Sequence, residues 1–161
     1  MQFRLAILLF VCVLGFNSQA QNIPKHAIGL RFSGGVLFGG ALNYQYAPDE
    51  ANRFEFNIGR LGGKEFSSTE IQITYQWVFP LDDRFDWYAG GGGKLGFQSQ
   101  TAYDLRTPLG LSLVGQAGIQ YTFDIPLNIS LDVCPDVLAI NYGYDRRNWL
   151  NLNLGVRYLL F

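Results

Sequence analysis

The sequence predicts an all-β chain, an eight-stranded antiparallel up-and-down transmembrane β-barrel. Three observations predict it. Apolar and polar residues alternate with period two in eight separate runs. Charged residues make up only 16% of the chain, against about 25% in soluble domains, and yet no run beyond residue 20 reaches the roughly 18 apolar residues of a helical span. The connections between runs alternate between short turns and longer polar stretches, as in barrels that cross a membrane with their strands.

The runs follow in order. The first sets Ile28, Leu30 and Phe32 against Gly29 and Arg31, and the second sets Val36, Phe38, Leu42, Tyr44 and Tyr46 against Gly39, Ala41, Asn43 and Gln45. "APDEAN" is a turn by its Pro, Asp and Asn. Phe54, Phe56 and Ile58 then alternate with Arg53, Glu55 and Asn57. After the polar connection "RLGGKEFSS" come Ile71, Ile73, Tyr75, Trp77 and Phe79 against Glu70, Gln72, Thr74 and Gln76. "PLDD" turns the chain into Phe85, Trp87, Ala89, Leu95 and Phe97, set against Asp86, Tyr88 and Lys94. A second long connection, "QSQTAYDLRTP", precedes Leu109, Leu111, Leu113, Ala117, Ile119, Tyr121 and Phe123, which alternate with Ser112, Gln116, Gln120 and Thr122. "DIP" is tight, and Leu127, Ile129, Leu131 and Val133 follow against Asn128, Ser130 and Asp132. Pro135 cannot donate to a ladder, so it marks a bulge or the outer rim of this run. "NYGYDRRN" leads to the closing run, with Leu, Val or Tyr on every even position from Leu150 to Leu160 and Asn151, Asn153, Gly155 and Arg157 between them.

Residues 1–20 read as a cleaved signal peptide: Arg4, an apolar stretch from Leu5 to Phe16, and small residues at Ser18 and Ala20. Residues 21–161 are then the barrel domain, with 11 basic residues against 13 acidic once Arg4 is removed. No basic patch speaks for nucleic acid. Cys134 alone remains of the cysteines, so an intrachain disulfide is excluded there.

Which face meets lipid follows from composition. The polar set is mostly Asn, Gln, Ser, Thr and Gly, and its charges balance: Arg31, Arg53, Lys94 and Arg157 against Glu55, Glu70, Asp86 and Asp132. Such a set suits a crowded lumen in which each ion needs a partner. The aromatics gather beside the short turns, at Tyr44, Tyr46, Phe54, Phe56, Tyr75, Trp77, Phe79, Phe85, Trp87, Tyr121, Phe123 and Tyr158, which is the pattern of an interfacial girdle. Phe32, Phe38, Phe97 and Trp149 supply a looser second ring. "GGGG" at 90–93 lacks the Lys-Ser/Thr and following helix of a phosphate loop, and fits a strand that must bend or spare a crowded lumen.

These residues resemble the small eight-stranded outer-membrane β-barrel proteins, the OmpA/OmpX-like group. The most specific parts are "GLSLVGQAGIQYTFDIPLNISLDVCP" (110–135) and "LGVRYLLF" (154–161). The resemblance implies a bacterial outer-membrane location with both chain ends periplasmic. It also implies a C-terminal insertion signal in Val156, Tyr158, Leu160 and Phe161, read by the barrel-assembly machinery. Members of the group usually hold the last phenylalanine in phase with a tyrosine two residues before it. Here Tyr158 is three residues before Phe161, so either a bulge restores the phase or Leu160 takes the membrane-facing place.

Chemistry is sparse. His26 is the one histidine and is expected at the periplasmic end, whereas Ser67, Ser68 and Ser99 are expected at the other, about 25 Å away. One histidine and one cysteine do not make the usual metal site, so neither metal nor cofactor is expected. The function expected is a non-enzymatic outer-membrane barrel, monomeric, with a side-chain-filled lumen and loops for structural, contact or adhesive roles. Candidate loop contacts are Arg60, Lys64, Tyr103, Asp104, Arg106, Tyr144, Arg146 and Arg147, with outer-membrane lipids including lipopolysaccharide as partners. The alternative is an enzyme that modifies outer-membrane lipid, a hydrolase or transferase of lipid A acyl chains.

Overall fold

The computed structural model describes residues 24–35, 38–62, 66–100, 109–140 and 150–160. The stretch read as a signal peptide lies outside them. Eight strands follow in chain order: β1 (His26–Gly34), β2 (Phe38–Tyr46), β3 (Asn52–Gly62), β4 (Phe66–Pro80), β5 (Phe85–Gln100), β6 (Gly110–Thr122), β7 (Leu127–Ile140) and β8 (Leu150–Leu160). Each pairs antiparallel with the next, and β8 returns to β1 through the register His26↔Leu160 to Gly34↔Leu152. In the closed ladder every one of the eight strands pairs with a neighbour on both sides, which is the condition for putting a sheet in lipid.

The turns at one rim are short and self-satisfied. In the β2–β3 turn the Asp49 carboxylate accepts from the backbone N–H of Ala51 (2.9 Å) and Asn52 (2.8 Å) and from the Asn52 amide. These bonds, that of the Asn52 side chain first, hold the Asp49 carboxyl below its ordinary value. Between β4 and β5 the N–H groups of Leu81 and Asp82 both donate to the Phe85 carbonyl. Arg84 of that turn pairs with Asp124 of the β6–β7 turn at 2.7 Å, joining two neighbouring turns.

Two of the long connections are shorter than the sequence suggests. "RLGGKEFSS" was expected as loop, but β3 runs to Gly62 and β4 starts at Phe66, with Arg60↔Thr69, Leu61↔Ser68 and Gly62↔Ser67 still in register. Polar side chains do not end a ladder whose backbone groups still have partners. Likewise β5 continues to Gln100, opposite Phe66.

β7 runs past Pro135 to Ile140. Its register against β6 shifts from Val114↔Asp136 to Leu113↔Leu138, which leaves Val137 as the extra residue of a bulge. Proline has no N–H to offer, and the irregularity sits within two residues of Pro135.

The two faces are inverted relative to a soluble protein. Inside lie Arg31, Asn43, Arg53, Glu55, Gln76, Asp132, Asn153 and Arg157, all buried, while Leu30, Leu42, Ile58, Ile73, Leu113, Leu131, Leu152 and Leu154 are exposed on the outside. A water-facing surface of that composition is untenable at this size, so the outer face is a lipid face and the fold is a transmembrane barrel. At the short-turn rim the outward aromatics touch in chains: Tyr44–Phe56–Phe54–Tyr75–Trp77, Phe79–Trp87 and Phe85–Tyr121–Phe123. This is a girdle at headgroup level.

Candidate functional site: the lumen and its rims

Alternation turns every second residue of each strand inward, and the lumen charges come from six strands. Glu55 on β3 is their hub. Its Oε1 accepts from Arg31 Nη1, Asn57 Nδ2 and Gln116 Nε2, and its Oε2 from Gln45 Nε2 (2.7 Å) and Arg157 Nη2 (2.9 Å). Arg31 on β1 also reaches Asp132 on β7 at 2.5 Å. Asp132 in turn accepts from Tyr88 Oη (3.0 Å) and Asn153 Nδ2 (2.9 Å). Arg157 on β8 further donates to Ser130 Oγ at 2.7 Å and to Asn43 Oδ1. An ion pair out of water is tolerated only when its remaining donors and acceptors are met, and here they are met by a shell of amides and hydroxyls.

The other four sequence-picked charges occupy the ends of the lumen. Arg53 donates to Gln76 and, from Nη1, to Gln120 (2.6 Å), and its guanidinium lies over the Tyr88 ring at 4.6 Å. Asp86 accepts from the same Gln120 at 2.7 Å, so an amide stands between that acid and that base. Toward the long-loop end Lys94 pairs with Asp136 at 2.9 Å and sits 3.7 Å from Glu70. Asp136 is a lumen acid that the sequence reading missed. It shares the parity of Asp132, but Pro135 and the bulge at Val137 interrupt the alternation on either side of it.

Little space remains. A cavity of about 180 Å³ opens at the short-turn rim beside Arg53, Asp86 and Asn128. One of about 40 Å³ lies toward the long-loop end near Glu70 and Lys94. An eight-stranded barrel is just wide enough for its own side chains, and this one is filled by them.

The rims separate the groups that chemistry would need together. His26 opens β1 at the short-turn rim, where Nδ1 lies 2.8 Å from the Tyr44 hydroxyl and the ring packs against Tyr44 and Tyr46. Ser67 and Ser68 stand at the start of β4, at the opposite rim. Among the described residues no three His, Cys, Asp or Glu come together as metal ligands.

Of the expected loop contacts, Arg60 is placed differently. It belongs to the ladder of β3, exposed on the outward face, with Nη2 donating to Ser67 Oγ at 3.0 Å. Lys64, Tyr103, Asp104, Arg106, Tyr144, Arg146 and Arg147 lie outside the described residues, as does Phe161. Of the expected insertion signal, Val156, Tyr158 and Leu160 point outward on β8, and Leu159 is buried between the last two.

No protein-family model matches the chain, and no curated protein sequence matches it. Solved structures do. The N-terminal β-barrel domain of Pseudomonas aeruginosa OprF superposes with a TM-score of 0.69 at 14% identity, covering 87% of this chain and 100% of that one. Neisserial surface protein A superposes at 0.61 with 14% identity, over 84% and 95%. Ail, the attachment invasion locus protein of Yersinia pestis, superposes at 0.53 with 17% identity, over 84% and 96%. At these identities the likeness establishes a shared architecture: the chain has the fold of small eight-stranded outer-membrane β-barrels.

Proposed function

We propose that this protein is an integral, non-enzymatic barrel of a Gram-negative outer membrane, whose lumen is a structural plug and whose long-loop rim makes contacts or adhesions at the cell surface. The observation that carries the reading is the inversion of the two faces: an ion-paired polar interior inside an apolar wall with an aromatic girdle at one rim. The likeness to outer-membrane barrels, one of them an attachment protein, supports the location and the contact role.

The finer parts belong to the same proposal. Residues 1–20 direct export and are cleaved near Ala20. The assembly machinery reads Val156, Tyr158, Leu160 and Phe161, and the inserted protein is a monomer. In the last long loop, Arg146 and Arg147 meet lipopolysaccharide phosphate, for which paired guanidiniums are suited.

Fractionation followed by gel electrophoresis of unboiled and boiled samples tests the core of the reading. The protein should pellet with outer membranes and migrate differently once boiled, because a closed ladder resists detergent in the cold. Recovery in the soluble periplasm would overturn it. Lipid A from cells with and without the protein, compared by mass spectrometry, tests the non-enzymatic role. An altered acylation pattern would establish the lipid-modifying alternative in its place.

A further inference from the structure

Among the described residues Arg60 is the only charged side chain on the outward parity of the eight strands. The outward column of β3 reads Phe54, Phe56, Ile58 and then Arg60, the last position before the strand closes at Gly62. No carboxylate among the described residues pairs with it. Its side-chain partner is the Ser67 hydroxyl on β4, at 3.0 Å, which accepts from Nη2 and keeps its own proton for another acceptor. Across the ladder Arg60 stands opposite Thr69, a second outward hydroxyl.

On the other side Arg60 stands opposite Gly40 of β2, which is exposed. Nothing forces a glycine there. A Cβ at Gly40 would find its nearest atoms, Arg31 O and Phe32 Cδ1, only at 3.9 Å, an ordinary contact. Gly40 therefore sets no side chain against the guanidinium on that flank. Exposed Phe32 and Phe97 pair with Gly40 and Thr69, so the polar patch is framed by aromatic rings.

A lone cation on a lipid face is costly at mid-membrane and nearly free at the interface. Arg60 ends an apolar column, and so lies where headgroups begin. There the membrane supplies an anion, which none of the described residues does. A guanidinium with two adjacent hydroxyl donors matches the several acceptor oxygens of a phosphate group.

We propose that Arg60, Ser67 and Thr69, approached over Gly40, form an outward-facing site for the phosphate of a membrane lipid. The site rests on the membrane reading above and deepens it. Lipid A and glycerophospholipid both carry the group. In the outer leaflet the natural source is lipid A.

The test is lipid retention by the folded full-length barrel. Protein in phosphatidylcholine nanodiscs is doped in separate arms with bisphosphorylated lipid A, with phosphatidylglycerol, or with uncharged diacylglycerol, then released into detergent and examined by native mass spectrometry. Retained lipid A adducts should fall roughly tenfold in Arg60→Gln, the loss of a charge-assisted bond. They should fall similarly in Gly40→Leu, which keeps the charge and covers the approach. Retention of lipid A alone assigns the site to the outer leaflet, and equal retention of phosphatidylglycerol assigns it to phosphate of either source. Adducts unchanged in both variants, or diacylglycerol held as well as the anionic lipids, would overturn the site. Each sample is run unboiled and boiled on a gel. Loss of the folded band in wild type would instead count against the membrane barrel itself.

Discussion

Arg157 and Glu55 meet at 2.9 Å across 102 residues of sequence, both side chains wholly buried in the centre of the lumen. β8 and β3 are not neighbours in the wall. The pair therefore braces the barrel across its interior, with Arg31 of β1 as a second cation on the same carboxylate.

Glu55→Gln should cost about 3–5 kcal/mol, the usual consequence of removing one partner from a buried ion pair. Arg31 keeps Asp132, but Arg157 loses its ion partner among the described residues. Urea unfolding of the barrel in micelles, followed on unboiled gels, reads the change. A shift of the midpoint no larger than that of an exposed control such as Glu50→Gln would refute the role of Glu55 as hub.

Tyr88 separates two contributions. Tyr88→Phe removes the donor to Asp132 but keeps a ring beneath Arg53, and Asp132 still has Arg31 and Asn153. The loss should be about 1.5 kcal/mol, the low end for a hydrogen bond to a charged group. Tyr88→Leu removes the ring as well and should cost more. Equal losses in the two variants would mean that the stacked guanidinium contributes nothing.

Much of this was legible in the sequence because a period of two leaves only two faces to assign. Once Leu150 to Leu160 are placed outward, Arg157 is inward by necessity, and the same holds for Glu55 between Phe54 and Phe56. Pairing across the lumen was not legible. Whether Arg157 meets Glu55 or Asp132 depends on shear and strand tilt, which no single run encodes. Arg60 and Asp136 went astray for a related reason. The polar stretch after Ile58 and the proline after Cys134 look like strand ends, whereas a ladder continues as long as its neighbour offers backbone partners.

The short-turn rim carries an acid response of its own. The folded pKa of Asp49 lies below its ordinary value, so the turn is stabilised while the carboxylate is ionised and loses that contribution as pH falls through the folded value. The window is the acid side of the ordinary carboxylate range. Carbon-detected NMR titration of the Asp49 carboxyl should show the depressed midpoint. Amide protection factors at Ala51 and Asn52 should fall over the same range, and Asp49→Asn should abolish that step. An Asp49 midpoint at or above the ordinary value would contradict the turn geometry.

Among the described residues Arg31, Glu55, Tyr88, Gln76 and Arg157 cross the lumen, each buried, and fill the width that a water path would need. In planar bilayers the reconstituted protein should show no large, long-lived conductance steps, in contrast to wide barrels whose interior is water-filled. Stable steps of porin size from a homogeneous folded preparation would mean that the network opens as a whole.

Two glycines on neighbouring strands should respond oppositely to the same added methyl. Gly29 faces inward on β1, opposite Arg157 in the seam that closes the barrel. A Cβ there would collide with the Val156 carbonyl oxygen and come within 2.7 Å of Arg157 Cα. Both are backbone atoms, so relief requires parting β1 from β8, and Gly29→Ala should cost about 1–3 kcal/mol or fail to close. Gly40 on β2 has nothing nearer than 3.9 Å. Gly40→Ala should be neutral or stabilising by about 0.4–1 kcal/mol, through the reduced freedom of the unfolded chain. Both variants are measured by the same unfolding assay, with the folded fraction read on unboiled gels. If Gly29→Ala proves as benign as Gly40→Ala, the two strands of the closing seam do not approach as closely as their register requires, and the barrel closes with a different shear.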